Sequence, residues 1–166
     1  MAVVSNSGPL LRYAKISRLD LLHALFSAVV IPQAVFAEVV TAGLRRQADA
    51  TDALAVQAAI DAGWITVANV TDRSWFSTIE RVIDRGEAEA IALARERGLP
   101  ILLDDRVGRR VAHAQGLLMN GSAGVLLLAK QRQLIDAVRP LLDTLLAADL
   151  YLSEAVYREV LTLAGE

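Results

Sequence analysis

The chemistry-bearing part of this sequence starts at Ile101-Leu-Leu-Asp-Asp-Arg-Val-Gly-Arg-Arg-Val-Ala112, where an apolar run stops at two adjacent carboxylates and a basic segment follows. The pattern reads as a buried strand that delivers Asp104 and Asp105 to its C-terminal end, then a helix. In an open α/β sheet, ligands bind at that edge. Other polar side chains also fall at element ends. Asn6 follows the apolar run Ala2–Ser5. Glu87 lies in the first turn of an Ala-rich helical stretch, where the helix dipole favours an anion. Glu38 interrupts the apolar series Val35, Val39 and Val40, a setting that predicts partial burial. Carboxylates gathered at one edge repel, and they stay ionised together only beside a divalent cation or Arg/Lys partners. Hard oxygen ligands suit Mg²⁺ or Mn²⁺, which can activate water in phosphodiester hydrolysis.

Each of these residues also has a purely structural reading. Asp84-Arg-Gly-Glu87 fits a capping box, in which Glu87 only closes its own helix. Glu89 aligns with Leu93 and Glu96 on what reads as a solvated side. Either Asp104 or Asp105 can cap the helix at Arg106, Glu38 can pair with Arg12, and Asn6 can be an Asx-turn residue. Arg106, Arg109 and Arg110 share one helix face beside the acidic edge, placed to hold a nucleic-acid backbone or simply solvated. Arg12, Lys15, Arg18 and the pair Arg45-Arg46 are vaguer candidates, and His23 and His113 read as structural.

The elements that must position these groups follow from period and punctuation. Strands are expected at Ala2–Ser5, Ala28–Ile31, Trp64–Val70, Ile101–Leu103 and Leu117–Met119. Helices are expected near Pro9–Lys15, Leu19–Phe26, Pro32–Thr41 (stopped by Gly43), Ala50–Ala62, Glu87–Arg97, Arg106–Gln115, Ser122–Lys130, Val138–Ala147 and Glu154–Leu163. The stretch Thr71–Ile83 carries no clear period. Apolar strands alternating with helices imply parallel pairing through right-handed crossovers, an α/β chain of one domain over residues 1–166.

Composition narrows the classes. With 54% hydrophobic residues and a mean hydropathy of +0.40, disorder is excluded, yet no apolar run approaches the roughly 18 residues of a membrane span. The absence of cysteine removes disulfides, thiolate catalysis and Cys-ligated metals. Met1-Ala-Val-Val has no basic n-region, and the expected location is the cytoplasm. At a net charge of −2, nucleic-acid binding needs a local patch, and 5% aromatics argue against base-stacking platforms. There is no P-loop, no dinucleotide fingerprint, no nucleophile elbow and no H-E-x-x-H zinc motif.

Val4-Ser-Asn-Ser-Gly-Pro-Leu10, Ile31-Pro-Gln-Ala-Val-Phe-Ala-Glu-Val39, Gly86-Glu-Ala-Glu-Ala-Ile-Ala-Leu-Ala94, Leu102–Ala112 and Gly121–Lys130, in this order, resemble PIN-domain proteins of the DUF3368 branch, akin to VapC-like toxin nucleases. The resemblance implies a three-layer α/β/α sandwich around a mostly parallel sheet. It implies a Mg²⁺- or Mn²⁺-dependent endoribonuclease, the toxin of a type II toxin–antitoxin pair, with RNA and a small antitoxin as partners and a homodimer as assembly. Its acidic quartet falls on Asn6, Glu38, Glu87 (or Glu89) and Asp104 (or Asp105), the other member of each pair being an auxiliary metal-binding group, with Arg106, Arg109 and Arg110 toward RNA. Gly-Glu-Ala-Glu-Ala is also similar to the two-glutamate helix of flap endonucleases. The departure is Asn6, where such nucleases carry Asp. An amide offers oxygen but no charge, so a catalytically silent binding module is the alternative.

Overall fold

The computed structural model describes residues 1–45 and 50–166; Arg46 and part of the basic connection 44–48 lie outside the described residues. The chain runs β1 (Ala2–Ser5), α1 (Ser7–Lys15), α2 (Leu19–Leu25), β2 (Ala28–Pro32) and α3 (Gln33–Phe36). A π-helical segment, Ala37–Thr41, leads into α4 (Ala42–Leu44), α5 (Thr51–Asp61), β3 (Ile65–Ala68), α6 (Arg73–Ile79) and α7 (Arg85–Arg97). Then come β4 (Ile101–Leu102), α8 (Arg106–Ala114), β5 (Met119–Asn120), α9 (Ser122–Gln131), α10 (Arg139–Ala147) and α11 (Glu154–Ala164).

The five strands pair in parallel in the order β3-β2-β1-β4-β5. Strand alternation splits the core into two layers. Val3, Val29, Ile31, Ile65 and Leu102 face α1, α2, α5 and α9 to α11. Val4, Val30, Ile101 and Leu103 face α6, α7 and α8. A sheet buried on both faces explains why these strands read as continuous apolar runs. The sequence order reverses direction between β1 and β4, so the crevice beyond their C-terminal ends is the topological switch point. Asn6 follows β1 and Asp104 follows β4, one on each side of it.

The helix after β2 differs from its expectation. Gly43 does not stop it: the helical path passes through Gly43, which is buried, and ends at Leu44. Burying Val39 and Val40 after Val35 requires a wider turn, and the π-helical segment supplies it. The same turn leaves Glu38 exposed, not partly buried. The third and fifth strands are shorter or shifted relative to Trp64–Val70 and Leu117–Met119, because pairing with a neighbour, not apolar content, sets their ends. The unreadable stretch contains α6, whose Trp75 lies under Arg95 at 4.8 Å in a cation–π contact.

Candidate functional site

Beyond β1, Asn6 is the residue that opens α1, but its side chain makes no cap bond there. It is buried instead, its Nδ2 donating to Glu87 Oε1 at 3.5 Å, while its Oδ1 accepts from Ser7 Oγ at 3.4 Å. This is not an Asx turn. Glu87 is brought to Asn6 by α7. Half of the capping box forms: Asp84 Oδ1 accepts from the Glu87 amide at 2.9 Å. Glu87 does not return the bond as a box would; its carboxyl is buried against Asn6. A Cβ on Gly108 of α8 would come within 3.3 Å of that carboxyl, so only glycine lets α8 pack so close.

Glu38 approaches the same place from the π-helical segment. A Cβ on Gly86 would lie 3.4 Å from Glu38 Oε2, 3.5 Å from Asp84 Oδ1 and 3.7 Å from Asn6 Oδ1. These oxygens therefore surround one small space at the start of α7. Asp84 is the member of this group that sequence reasoning treated only as a cap; its D-x-x-E spacing was the available signal. Burial, and then the charges of Asp84, Asp105 and Glu38, push the Glu87 carboxyl up from 4.5 to about 7.

Asp104 is placed differently. Its carboxylate accepts from Ser122 N and Ser122 Oγ, both at 2.6 Å, and from Arg12 Nη1 at 2.8 Å. Arg12 thus pairs with Asp104 and not with Glu38, and its Nη2 donates to the Asp149 carbonyl. Since Gly121 has no side chain to cap α9, Asp104 does so from another element. Replacing Asp104 by Ala strands Arg12 and two Ser122 donors, and the expected cost is about 3 kcal/mol in urea denaturation. Asp104 and Glu87 line one cleft of about 940 Å³ together with Asn6, Asp84, Asp105 and Arg12.

Asp105 takes the capping role for α8, accepting from the Val107 and Gly108 amides at 2.7 and 2.9 Å. Glu89 corrects the solvated reading. It is 3% exposed, because α3 packs across that side of α7. Its carboxylate accepts from Ala34 N at 2.9 Å and Arg85 Nε at 3.0 Å. Arg106 and Arg110 are exposed, while Arg109 donates to the Leu103 carbonyl at 3.0 Å. All three line a groove of about 580 Å³ adjoining Asp104, together with His113, which the sequence reading had set aside. Lys15 and Arg18 are paired with Asp149 and Asp20, and His23 stacks on Trp64 at 4.7 Å.

Among the described residues, no three acidic or histidine side chains stand as a ready-made metal cage. The chemistry of the donors around Gly86 nevertheless fits a hard divalent cation: they are all oxygen, and the neighbouring Glu87 is raised by burial first and then by the charges of Asp84, Asp105 and Glu38.

The family model of DUF3368, a PIN domain, matches residues 2–166. The chain belongs to this PIN-domain family. Among solved structures, this PIN domain is similar to the crystal structure of VapBC2 from Rickettsia felis bound to a DNA fragment from their promoter. That match has a TM-score of 0.52 at 10% identity and covers 73% of this chain and 98% of that one. It supports the expected PIN-like α/β/α sandwich. No curated protein matches the chain in sequence. No helix among the described residues is long and apolar enough to cross a membrane.

Proposed function

We propose that this PIN domain is a divalent-metal-dependent endoribonuclease, the toxin of a toxin–antitoxin pair acting in the cytoplasm. The observation that carries the reading is the convergence of Asn6, Glu38 and Asp84 oxygens around Gly86, beside a charge-crowded Glu87 at the switch point of the sheet. Membership in the PIN family, whose members are generally nucleases, supports it, as does the likeness to a fold found in a VapBC complex.

Glu38, Glu87 and Asp84 would hold Mg²⁺ or Mn²⁺, with Asn6 as a neutral oxygen ligand and Asp104 across the cleft. When bound there, the cation would supply Lewis-acid activation of water and charge neutralisation at the leaving oxygen. Glu87 contributes its carboxylate, whose ionised form, disfavoured by burial first and by acidic neighbours second, a cation would favour. Asp105 keeps α8 in register, so that Arg106 and Arg110 meet the phosphate backbone of an RNA strand while Arg109 is anchored at Leu103. His113 extends the same groove. Val156 and Val160 line the cleft's far wall, on α11, where an antitoxin or a second copy would dock.

One observation favours a second reading, a silent binding module: Asn6 Nδ2 donates to Glu87, and Arg12 with Ser122 already satisfies Asp104. Cleavage of single-stranded RNA by the purified protein with Mn²⁺, absent with EDTA and in Glu87→Gln, is the expected result. No cleavage by the unaltered protein, with a large gain in Asn6→Asp, would replace the first reading by the second.

A further inference from the structure

The proposed site leaves Glu89 unused, and its surroundings say what it does. It is 3% exposed, one of few carboxylates buried so far. It points away from the Gly86 cluster: residues two apart on a helix lie on nearly opposite sides, so Glu87 faces Asn6 while Glu89 faces α3. Its partner there is the backbone N–H of Ala34, in the first turn of α3. That turn is preceded by Pro32, which has no side-chain acceptor to give, so its amides begin without a local cap. Glu89 supplies the missing acceptor with a full negative charge at the positive end of the helix. Arg85, one turn earlier on α7, donates its Nε to the other carboxylate oxygen, so both oxygens are engaged.

Ala34 sits one turn before Glu38 on a helical path that continues without interruption from α3 into the π-helical segment. Anchoring Ala34 to α7 therefore fixes the height and rotation at which Glu38 meets the start of α7. We propose that Glu89 is a positioning residue: it caps α3 from across the layer and so sets Glu38 against Gly86, Asp84 and Glu87. It is not a metal ligand, in contrast to what the two-glutamate pattern implies. The metal arm of this inference rests on the reading of the Gly86 cluster as a cation site.

The test compares the full-length protein with Glu89→Gln, Glu89→Ala and, as control, Glu87→Gln. Two quantities are read: hydrogen exchange of the amides of Ala34 to Glu38, and Mn²⁺ affinity by titration calorimetry. Glu89→Ala is expected to lose protection at Ala34 and to bind Mn²⁺ about tenfold or more weakly, the cost of losing a group that orients a ligand. Glu89→Gln keeps an acceptor oxygen, so it should retain the protection and bind within about threefold of the unaltered protein. If Glu89→Gln loses Mn²⁺ affinity as fully as Glu87→Gln while Ala34 stays protected, Glu89 is a ligand and the proposal is wrong. Unchanged protection at Ala34 in Glu89→Ala overturns it too, and so does unchanged Mn²⁺ affinity in that variant. If the unaltered protein binds no Mn²⁺, the cation reading fails, and the exchange data alone decide whether Glu89 anchors α3.

Discussion

Gly86→Ala should fold at least as well as the unaltered protein and yet bind Mn²⁺ about tenfold or more weakly, a loss of roughly 1.4 kcal/mol. The added methyl meets Glu38, Asp84 and Asn6 oxygens at 3.4 to 3.7 Å, ordinary contact distances, so the backbone has no reason to move. Gly86 lies inside α7, where alanine is favoured over glycine by up to about 1 kcal/mol. The same methyl fills the space those oxygens surround and replaces it with an apolar group that donates nothing. Stability and metal binding therefore move in opposite directions, an outcome that general damage to the fold does not produce. The measurement is a pair of curves: thermal unfolding without divalent ions, and Mn²⁺ titration by calorimetry. Equal Mn²⁺ affinity in the two proteins would place the cation elsewhere.

Glu87→Gln should stabilise the metal-free protein at neutral and alkaline pH. The carboxyl is buried and its pKa rises from 4.5 to about 7, so between those values the folded chain keeps a proton that the unfolded chain has released. Stability then falls as pH rises through this window and levels off above about 7, with a loss of at most about 3 kcal/mol. Glutamine is neutral throughout and avoids the loss. Urea denaturation in EDTA is expected to show little difference between the two proteins at pH 4 and an advantage of about 2 kcal/mol for Glu87→Gln at pH 8. Added Mg²⁺ at pH 8 should raise the midpoint of the unaltered protein and leave that of the variant nearly unchanged. Identical midpoints at pH 8 in EDTA would mean that burial and its acidic neighbours do not hold the carboxyl above its ordinary value.

A recurring device links these effects. Three helices without a side-chain cap of their own, and the turn ahead of α6, borrow a carboxylate from elsewhere. Glu89 serves α3 and Asp104 serves α9. Glu166 accepts from the Val138 and Arg139 amides at the start of α10, while Glu96 accepts from the Thr71 and Asp72 amides ahead of α6. Some acidic side chains thus hold helices while others crowd the Gly86 space, and Asp84 does both. Asp104 does the first from a cleft it shares with Asn6, Asp84 and Glu87, while Glu38 and Gly86 line an adjoining pocket that meets this cleft at Asp84.

Much of the frame was legible without coordinates. Apolar runs bounded by Gly and Pro marked every strand, and the placement of Asn6 and Asp104 after two of them put both at the sheet's C-terminal edge. The capping role of Asp84 was readable too, as was that of one of Asp104 and Asp105, since an acceptor two or three residues ahead of its amide is a local pattern; the structure gives it to Asp105. Glu38 and Glu89 were misjudged because valine neighbours and helical alignment report which side of a helix is apolar, not which other helix lies across it.

Element type, strand order along the chain and the polar groups at strand ends were therefore determined by the sequence itself, through short-range periodicity, turn residues and caps. The long-range partners of Glu89 and Asp104 were decided only in three dimensions. Glu89 finds its amide 55 residues away and Asp104 its guanidinium 92 residues away. Such pairings are chosen by how two layers pack on one sheet, and burial then makes an unpaired carboxylate too costly to keep.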